Sequence, residues 1–405
     1  MTLLNTLAKK KILIVTECFY PEEFKINDVA LFWKNKGYEV SVLTLTPTYP
    51  IGKVYQGYKN KLFYKSKYQG IDIYRIRAVT GYKGSLTKKY LKYLNFMFFG
   101  SIFSIFIGRK YDFVFGYNLG ALTDMLPAVI IKKLYKKPLM LWVQDIWPDS
   151  VYAYGVKETK LRSYWLNIFV RFIYSNATNI AISSKGFALK LSSFANNDKI
   201  FHYLPNWADD LKMSQKGVYL DSNNRIQFTF AGNIGKVQNL ENIINAFCLL
   251  SKNTQKKAQL NIVGDGSNLE HLKTLSQGNK HIIFHGKVKR ENMTSYYDAS
   301  DFLIVSLIDK PIFSLTVPAK IQTYIAAKKP ILGCIKGESA DIINENNLGL
   351  CVDPTDVILI KELFQKCINM SDTEKAEFIY HSDKLLEKVF NKEIILSQMT
   401  EILIS

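Results

Sequence analysis

Apolar and polar positions alternate in blocks along the chain, as in proteins built from parallel strands and helices. Residues 11–16 enclose an unbroken apolar run, which favours a strand buried on both faces. A helical pattern follows at 27–36, then Gly37, then a second apolar strand at 39–44, which together predict a β-α-β unit. Further strands are predicted at 71–76, 113–115, 139–143 and 179–183, with helices between them.

A second series of the same kind follows a polar stretch that ends near residue 224. Its predicted strands are 227–231, 259–263, 282–284 and 302–305, and its predicted helices are 240–250, 269–276 and 292–297. Alternation of this kind favours two doubly wound α/β sheets. We therefore predict a first domain over residues 1–205 and a second over 206–383, with a last helix, about 384–404, returning to the first domain.

Length and composition agree with two domains in a cytoplasmic protein. The 405 residues are too many for one small core, and the five cysteines are widely spread without a C-x-x-C pair. This pattern favours a reducing compartment over disulfides or a zinc site. Residues 1–11 lack the order of charged and apolar residues that is typical of a signal peptide.

The net charge of +18 is concentrated in one region. Residues 51–110 contain 13 Lys and Arg against one acid, Asp72. Within them, residues 94–107 are fourteen uncharged and mostly apolar positions, too few for a transmembrane helix of about 20 residues. Two interpretations stay open: a buried core helix, or an element at the headgroups of an anionic membrane, beside Tyr90 and Tyr93.

Candidate ligand-binding loops follow four strands of the second series. Gly232-Asn233-Ile234-Gly235-Lys236 follows the first, Gly264-Asp265-Gly266 the second, and Gly286-Lys287-Val288 the third. Residues 316–332 follow the fourth and predict a loop, a short helix that ends before Pro330, and a strand. A helix that begins beside a lysine suits a phosphate group, and open α/β sheets bind ligands at this edge. The first loop alone is equally explained as a plain strand-to-helix turn.

Together these loops resemble the family-four retaining glycosyltransferases of GT-B fold, in particular the bacterial branch that adds acetamido-sugars such as L-fucosamine to envelope polysaccharides. The resemblance implies two Rossmann-like domains that face each other across a cleft. It also implies a hexosyltransferase that moves an acetamido-sugar, with N-acetyl-L-fucosamine as one candidate, from a UDP-sugar to a polyprenyl-diphosphate-linked saccharide. Such reactions build capsule, O-antigen and lipopolysaccharide at the inner face of the cytoplasmic membrane.

The resemblance also assigns residues of the donor site. Gly235 and Lys236 correspond to the loop that meets the diphosphate, and Val288 to the residue whose backbone contacts the nucleobase. The full predicted donor-binding set is Gly232, Asn233, Gly235, Lys236, Gly264, Gly266, Val288, Thr316, Val317, Pro318, Lys320 and Thr323. Two departures stand out: Leu315 and Thr323 occupy the positions of two glutamates, and Lys328 replaces a glycine that ends the helix.

On the acceptor side, Asp145 stands where other family members have an active-site histidine. We predict that Asp145, Lys236 and Lys320 are catalytic, although Asp145 also suits a helix N-cap or turn. Trp147 is either an acceptor platform or a core anchor. Glu23, Lys25 and Asn27 are predicted to bind the acceptor, and Lys25 is equally explained as a solvated surface lysine.

No metal cofactor is expected. The five histidines lack metal-binding spacing, and no two aspartates stand two residues apart, so the Asp-x-Asp signature of metal-dependent transferases is missing. Two alternatives to the transferase are a non-hydrolysing UDP-sugar epimerase, which would use Glu22, Glu23 and Asp145, and a basic nucleic-acid-binding protein. The sequence contains no helix-turn-helix, RNA-binding or zinc signature, so we expect no nucleic-acid partner.

Overall fold

The computed structural model describes residues 9–82, 85–153, 155–195, 199–208, 211 and 225–405. Contacts divide the chain into two compact units, the first extending to Pro205 and including Glu393–Ser405, the second covering Asn206–Lys392. The predicted boundary near residue 206 lies beside the polar stretch 209–224, of which only residue 211 is described. Residues 1–8, for which no signal peptide was predicted, are also outside the described residues.

The first unit contains, within its described residues, an eight-stranded sheet in the order β3-β4-β2-β1-β5-β6-β7-β8. All neighbouring strands are parallel except β3 and β4, which pair antiparallel. The strands are β1 (Lys11–Thr16), β2 (Glu39–Leu45), β3 (Phe63–Tyr68), β4 (Ile71–Ile76), β5 (Phe113–Asn118), β6 (Leu139–Val143), β7 (Asn179–Ile182) and β8 (Phe201–Tyr203).

Helices cover both faces of this sheet, as its buried central strands require. They are α1 (Lys25–Asn35), α2 (Leu86–Ile107), α3 (Leu126–Tyr135), α4 (Asp149–Ala153), α5 (Lys160–Asn176) and α6 (Gly186–Leu191). The connections through α2, α3 and α5 all advance the chain in one direction across the sheet, whereas α1 connects β1 to β2 in the other. Because such crossovers are right-handed, α2, α3 and α5 share one face and α1 lies on the opposite face.

The described residues of the second unit form a six-stranded parallel sheet in the order β11-β10-β9-β12-β13-β14. Its strands are β9 (Ile226–Ala231), β10 (Ala258–Val263), β11 (Ile282–Gly286), β12 (Phe302–Ser306), β13 (Ile331–Cys334) and β14 (Gly349–Val352). Its helices are α7 (Leu240–Cys248), α8 (Lys252–Gln255), α9 (Leu269–Leu275), α10 (Met293–Asp298), α11 (Pro311–Ser314), α12 (Ala319–Ala326), α13 (Glu338–Glu345), α14 (Val357–Ile368), α15 (Asp372–Tyr380) and α16 (Ser382–Lys388).

The segment predicted as one helix over 384–404 is two helices. The first is α16, in the second unit, and the second is α17 (Lys392–Ile404), which packs on the first unit. The Trp33 indole N–H on α1 donates to the Thr400 hydroxyl at 2.8 Å, and the Asn179 amide donates to the Ile402 carbonyl at 2.7 Å. The chain therefore returns to the first unit about nine residues later than the sequence pattern indicates.

Helix α2 is longer than its apolar segment. It runs for 22 residues from Leu86, and its first turns include Lys88, Lys89 and Lys92. The length argument against a membrane span was therefore wrong: Thr87–Lys110 is long and apolar enough to cross a membrane, with a mean hydropathy of 1.4 and 33% of its most apolar stretch buried. The core helix of a soluble protein also meets these criteria, so both interpretations of 94–107 remain.

The bond between Trp33 and Thr400 predicts the effect of a single substitution. Trp33 is fully buried, so Thr400→Val should leave its indole N–H without an acceptor and lower the free energy of unfolding by about 1–3 kcal/mol. Thr400→Ser keeps the hydroxyl and should cost less than half as much. Urea unfolding, followed by circular dichroism, measures both, and equal losses would contradict the bond.

Candidate functional site

The four predicted loops of the second unit lie at one edge of its sheet. They follow β11, β10, β9 and β12, which are four consecutive neighbours in the strand order. These strands are parallel, so their carboxyl ends meet at the same edge. The sequence therefore placed the loops together correctly.

Backbone hydrogen bonds lock three of these loops to one another. The N–H of Gly232 donates to the Val263 carbonyl at 2.9 Å, and the N–H of Gly264 donates to the Gly286 carbonyl at 2.8 Å. A Cβ on Gly264 would lie 1.8 Å from the Gly232 carbonyl oxygen, and one on Gly266 would lie 2.3 Å from the Ile234 carbonyl oxygen. The close approach that requires these glycines is thus between neighbouring loops.

Lys236 and Asn233 are exposed on the first loop. Lys236 begins a short 3-10 helix, Lys236–Gln238, and α7 begins only at Leu240. Lys236 is thus the first residue of this short helix, and α7 begins at Leu240, where the sequence predicts it. Gly235, the residue before Lys236, has an extended backbone conformation.

Lys320 reaches from the first turn of α12 towards β9. Its ammonium lies 3.5 Å from the centroid of the Phe230 ring and donates to the Gln238 amide oxygen at 2.8 Å. Gly232 makes room for it, because a Cβ there would lie 2.7 Å from Lys320 Cε. Burial lowers the pKa of Lys320 well below 10.5, and among the described residues no carboxylate pairs with it.

The N-terminus of α12 has no side-chain cap. Pro318 is its N-cap residue in extended backbone, and Val317 before it is buried. The hydroxyl groups of Thr316 and Thr323 donate to the carbonyl oxygens of Ile312 and Ala319, at 2.9 and 3.1 Å. The first backbone N–H groups of α12 are thus left for a ligand or water.

Tyr324 is a residue of this site that sequence reasoning missed. Its buried hydroxyl accepts the N–H of Ala231, the last residue of β9, at 3.2 Å. This bond fixes α12 to the strand that carries the glycine loop. A tyrosine directly after Thr323 was visible in the sequence, but nothing in the pattern indicated which way it points.

Val288, the residue predicted to contact the nucleobase, is half-buried beyond the end of β11. Among the residues that depart from the family pattern, Leu315 is half-buried and follows α11. Lys328 has a φ of 52°, the left-handed conformation expected where a glycine would end the helix. It forms a surface ion pair with Asp383 at 2.8 Å.

In the first unit, Asp145 follows β6 and accepts the N–H of Ile146 at 3.0 Å, as a turn carboxylate does. Burial raises the pKa of Asp145 to about 7. Its carboxyl group therefore changes charge near neutral pH, which suits a group that handles protons. Trp147, two residues on, is half-buried, which decides neither the platform nor the anchor interpretation.

Hydrogen bonds from side chains to backbone groups fix the conformation of the predicted acceptor loop. The Asn27 amide accepts the Tyr20 N–H at 3.1 Å and donates to the Glu22 carbonyl at 2.7 Å. Glu22 is buried, and its carboxylate accepts the N–H groups of Thr48 and Tyr49 at 2.8 and 2.7 Å. Glu23 is exposed, and Lys25 and Asn27 are half-buried.

A pocket of about 710 Å³, which the sequence did not indicate, lies at the carboxyl ends of β1 and β5. These strands are neighbours, and their following helices lie on opposite faces of the sheet, which is where open α/β sheets form a binding crevice. Its lining combines aromatic rings with two lysines: Phe24, Tyr49, Tyr82, Tyr93, Lys89 and Lys92.

Two buried titratable groups of the pocket lining, Glu17 and Lys92, interact with a third nearby group, Asp124. Lys92 contacts Glu17, and its ammonium lies 4.4 Å from the centroid of the Tyr82 ring. Burial alone would lower the pKa of Lys92, but the Glu17 carboxylate together with Cys18 and Tyr82 outweighs burial, and the pKa is raised. Burial and then Glu17 raise the pKa of Asp124 well above its ordinary value. Lys89 is the second lysine of the pocket lining.

Among the described residues, no group of three or more His, Cys, Asp or Glu side chains is arranged to hold a metal ion. The cationic groups of the two candidate sites are lysines.

The raised pKa of Asp145 predicts how stability depends on pH. Its protonated form is favoured in the folded state, so this contribution is present below pH 3.8 and is lost as the pH rises through about 7. Between about pH 5 and pH 8 the wild type should lose about 3 kcal/mol relative to Asp145→Asn. Urea unfolding at both pH values measures this, with Asp149→Asn, a surface residue paired with Lys190, as the control. Parallel curves for wild type and Asp145→Asn would contradict the shift.

Comparison with known proteins finds similarity to glycosyltransferases. Residues 214–383 match the family model described as glycosyl transferases group 1. The chain is 26% identical over 240 residues to the probable glycosyltransferase WbjE of Pseudomonas aeruginosa, covering 56% of this chain and 59% of that protein. It is 30% identical over 197 residues to the uncharacterized glycosyltransferase MJ1069 of Methanocaldococcus jannaschii, covering 45% and 48%. The chain thus spans about half the length of the curated relatives that it matches.

Solved structures confirm the fold. A structure described as trehalose-6-phosphate from E. coli bound with UDP-2-fluoro glucose superposes with a TM-score of 0.74 at 10% identity, covering 97% of this chain and 99% of that one. The predicted GT-B fold, with two Rossmann-like domains, is confirmed. The chain therefore has the GT-B fold, and its residues 214–383 are similar to the glycosyl transferases group 1 family.

Proposed function

We propose that this protein is a UDP-sugar-dependent glycosyltransferase and that its second unit binds the donor. The observation that carries this proposal is Lys320, whose buried ammonium lies beside the glycine loops without a carboxylate partner among the described residues. A buried cation without a counter-charge is costly, and a diphosphate would supply that charge. The E. coli structure of the same fold was solved with UDP-2-fluoro glucose, which supports a UDP-sugar as the ligand class.

The same groups account for the chemistry of the donor. When the sugar leaves, the nucleoside diphosphate gains negative charge. The Lys320 ammonium, the uncapped N–H groups of α12 and the exposed Lys236 would stabilise that charge. In this proposal the lysines take the place of a divalent cation, and the reaction proceeds with retention.

The acceptor is proposed to bind in the first unit. Aromatic rings and a lysine line the pocket at β1 and β5, and rings of this kind stack on sugar faces while Lys89 suits a phosphate at the rim. A polyprenyl-diphosphate-linked saccharide combines both groups, and an acetamido-sugar is the proposed group transferred. Asp145, with its pKa near 7, is the proposed proton-handling group of this unit.

The proposed location is the inner face of the cytoplasmic membrane, where such an acceptor would be found. The basic region 51–110 supports it, since it carries the exposed apolar surface of α2. The proposed product would enter capsule or O-antigen synthesis.

Neither alternative function is favoured. The epimerase would need converging carboxylates, but Glu22 accepts backbone N–H groups with both of its oxygens. The nucleic-acid hypothesis rested on net charge, and the positive region presents apolar side chains between its lysines.

Replacing the two lysines of the donor site tests the proposal. Lys320→Met and Lys236→Met should each weaken UDP binding by about 10- to 100-fold, since each removes a charged donor to phosphate. Lys328 follows the far end of α12 and pairs with Asp383, so Lys328→Gln should bind UDP like the wild type. Isothermal titration calorimetry measures all three. Unchanged affinity in both Met variants would contradict the proposed site.

A further inference from the structure

Helix α2 is apolar on the side that faces away from its own unit. Its buried positions include Phe96, Gly100 and Ser104, which pack inward. The outward positions at helical spacing are exposed apolar side chains: Leu91, Leu94, Phe98 and Ile105, with Phe106 beside them at 73% exposure. A helix that is apolar on all sides is stable where apolar groups surround it, and the unit covers only the inward side of α2.

Helix α5 repeats this feature, although neither the charge pattern nor the motif search singled it out. Its inner side buries Val170, Ile173 and Tyr174. Its outer side exposes a stripe at spacings of three and four residues, namely Leu161, Tyr164, Trp165, Ile168 and Phe172. Tyr164, Ile168 and Phe172 also line an open groove of about 480 Å³. The exposed stripe is thus as apolar as a core-facing one.

Both helices belong to one continuous layer through α3. A Cβ on Gly100 would lie 2.9 Å from Pro127, and one on Gly108 would lie 2.8 Å from Ile131, so α2 and α3 are in close contact. The Lys133 ammonium of α3 lies 5.3 Å from the centroid of the Phe172 ring of α5. The exposed apolar side chains of α2 and α5 therefore lie on the same face of the unit.

The charge of this layer indicates what covers it. Helices α2, α3 and α5 contain no acidic residue and eight basic ones. Lys92 is buried against Glu17, and the other seven are Lys88, Lys89, Lys132, Lys133, Lys160, Arg162 and Arg171. A second copy docked face to face would bring two acid-free surfaces together and would be repelled. An anionic bilayer supplies both the negative charge and the apolar depth that these side chains match.

We propose that α2, α3 and α5 form a single docking face for an anionic lipid bilayer, with Trp165 of α5 entering the interface. This deepens the proposed membrane location by adding α5, a second apolar helix outside residues 51–110, so that the unit is held by two helices rather than one. Docking of this kind is independent of the transfer reaction. Since α2 also lines the acceptor pocket with Lys89 and Lys92, it sets that pocket beside the bilayer surface.

Trp165 provides a direct readout. Of the five tryptophans, all of them in described residues, Trp33, Trp142 and Trp207 are buried, Trp147 is half-buried and Trp165 is 63% exposed. Vesicles of phosphatidylcholine and phosphatidylglycerol should shift its emission to shorter wavelength, and brominated acyl chains should quench it. Pure phosphatidylcholine should have much less effect, and added salt should weaken binding.

Vesicle co-sedimentation with matched variants completes the test. Trp165→Glu and Ile168→Glu should each lower partitioning by about tenfold or more. Trp165→Phe should keep binding and lose the spectral shift. Tyr380→Glu, an exposed aromatic of the second unit at 81% exposure, is the control and should bind as the wild type does. Circular dichroism should report folded protein throughout, because every substituted side chain is exposed.

Two results would overturn the proposal. One is equal vesicle binding by wild type, Trp165→Glu and Ile168→Glu. The other is a dimer in light scattering that Trp165→Glu dissociates, since a second copy would then be the occupant. UDP affinity, measured without vesicles, should be the same in wild type and Trp165→Glu, so a failure here is separable from a failure of the proposed donor site.

Discussion

The positive charge of Lys320 is placed where little water reaches it and where, among the described residues, no carboxylate offsets it. Several features maintain this arrangement: Gly232 leaves space for the side chain, Phe230 lies under the ammonium, and Tyr324 ties α12 to β9. The interlocked glycine loops hold the strand ends in register around it. A fold that buries a cation without a counter-charge is preorganised for an anion. The unfavourable free energy of burying the charge is offset by other interactions during folding, and a bound anion removes it.

In the first unit, the two sides of helix α2 have different surroundings. One side of α2 brings Lys92 into contact with buried Glu17, whose charge, after burial itself, raises the pKa of the neighbouring Asp124. The other side carries exposed apolar residues of the docking face. The same helix thus connects a polar pocket with an apolar surface, which is the combination that an amphipathic acceptor requires.

Much of the fold was predictable because buried parallel strands leave a strong signal. The strands at β1, β4 and β6 were predicted with their observed limits, and most others within a few residues. The hairpin partner β3 and the short β8 and β14 were not predicted, since edge strands with half-exposed residues lack a continuous apolar run. The end of the chain was misjudged because the break between α16 and α17 leaves no proline or glycine in the sequence.

The site was less predictable than the fold. Loop positions follow from strand order, so the residues of the glycine loops and of α12 were found together. Side-chain direction does not follow from order: Glu22 turned out to support the backbone, and Tyr324 lies at the centre of the donor loops. The pocket beside β1 is assembled from segments more than 100 residues apart, which no local pattern records. Helix α5 escaped notice because an exposed apolar stripe has the same spacing as a buried one.

The most direct test of the central claim is the number of protons taken up when UDP binds. Lys320 is partly neutral in the free protein at pH values between its lowered pKa and 10.5, and a bound diphosphate would favour its charged form. Titration calorimetry in buffers of different ionisation enthalpy, repeated from about pH 7 to about pH 10, should reveal proton uptake on binding that disappears in Lys320→Met. UDP binding without any proton uptake across this range, or no UDP binding at all, would contradict the account.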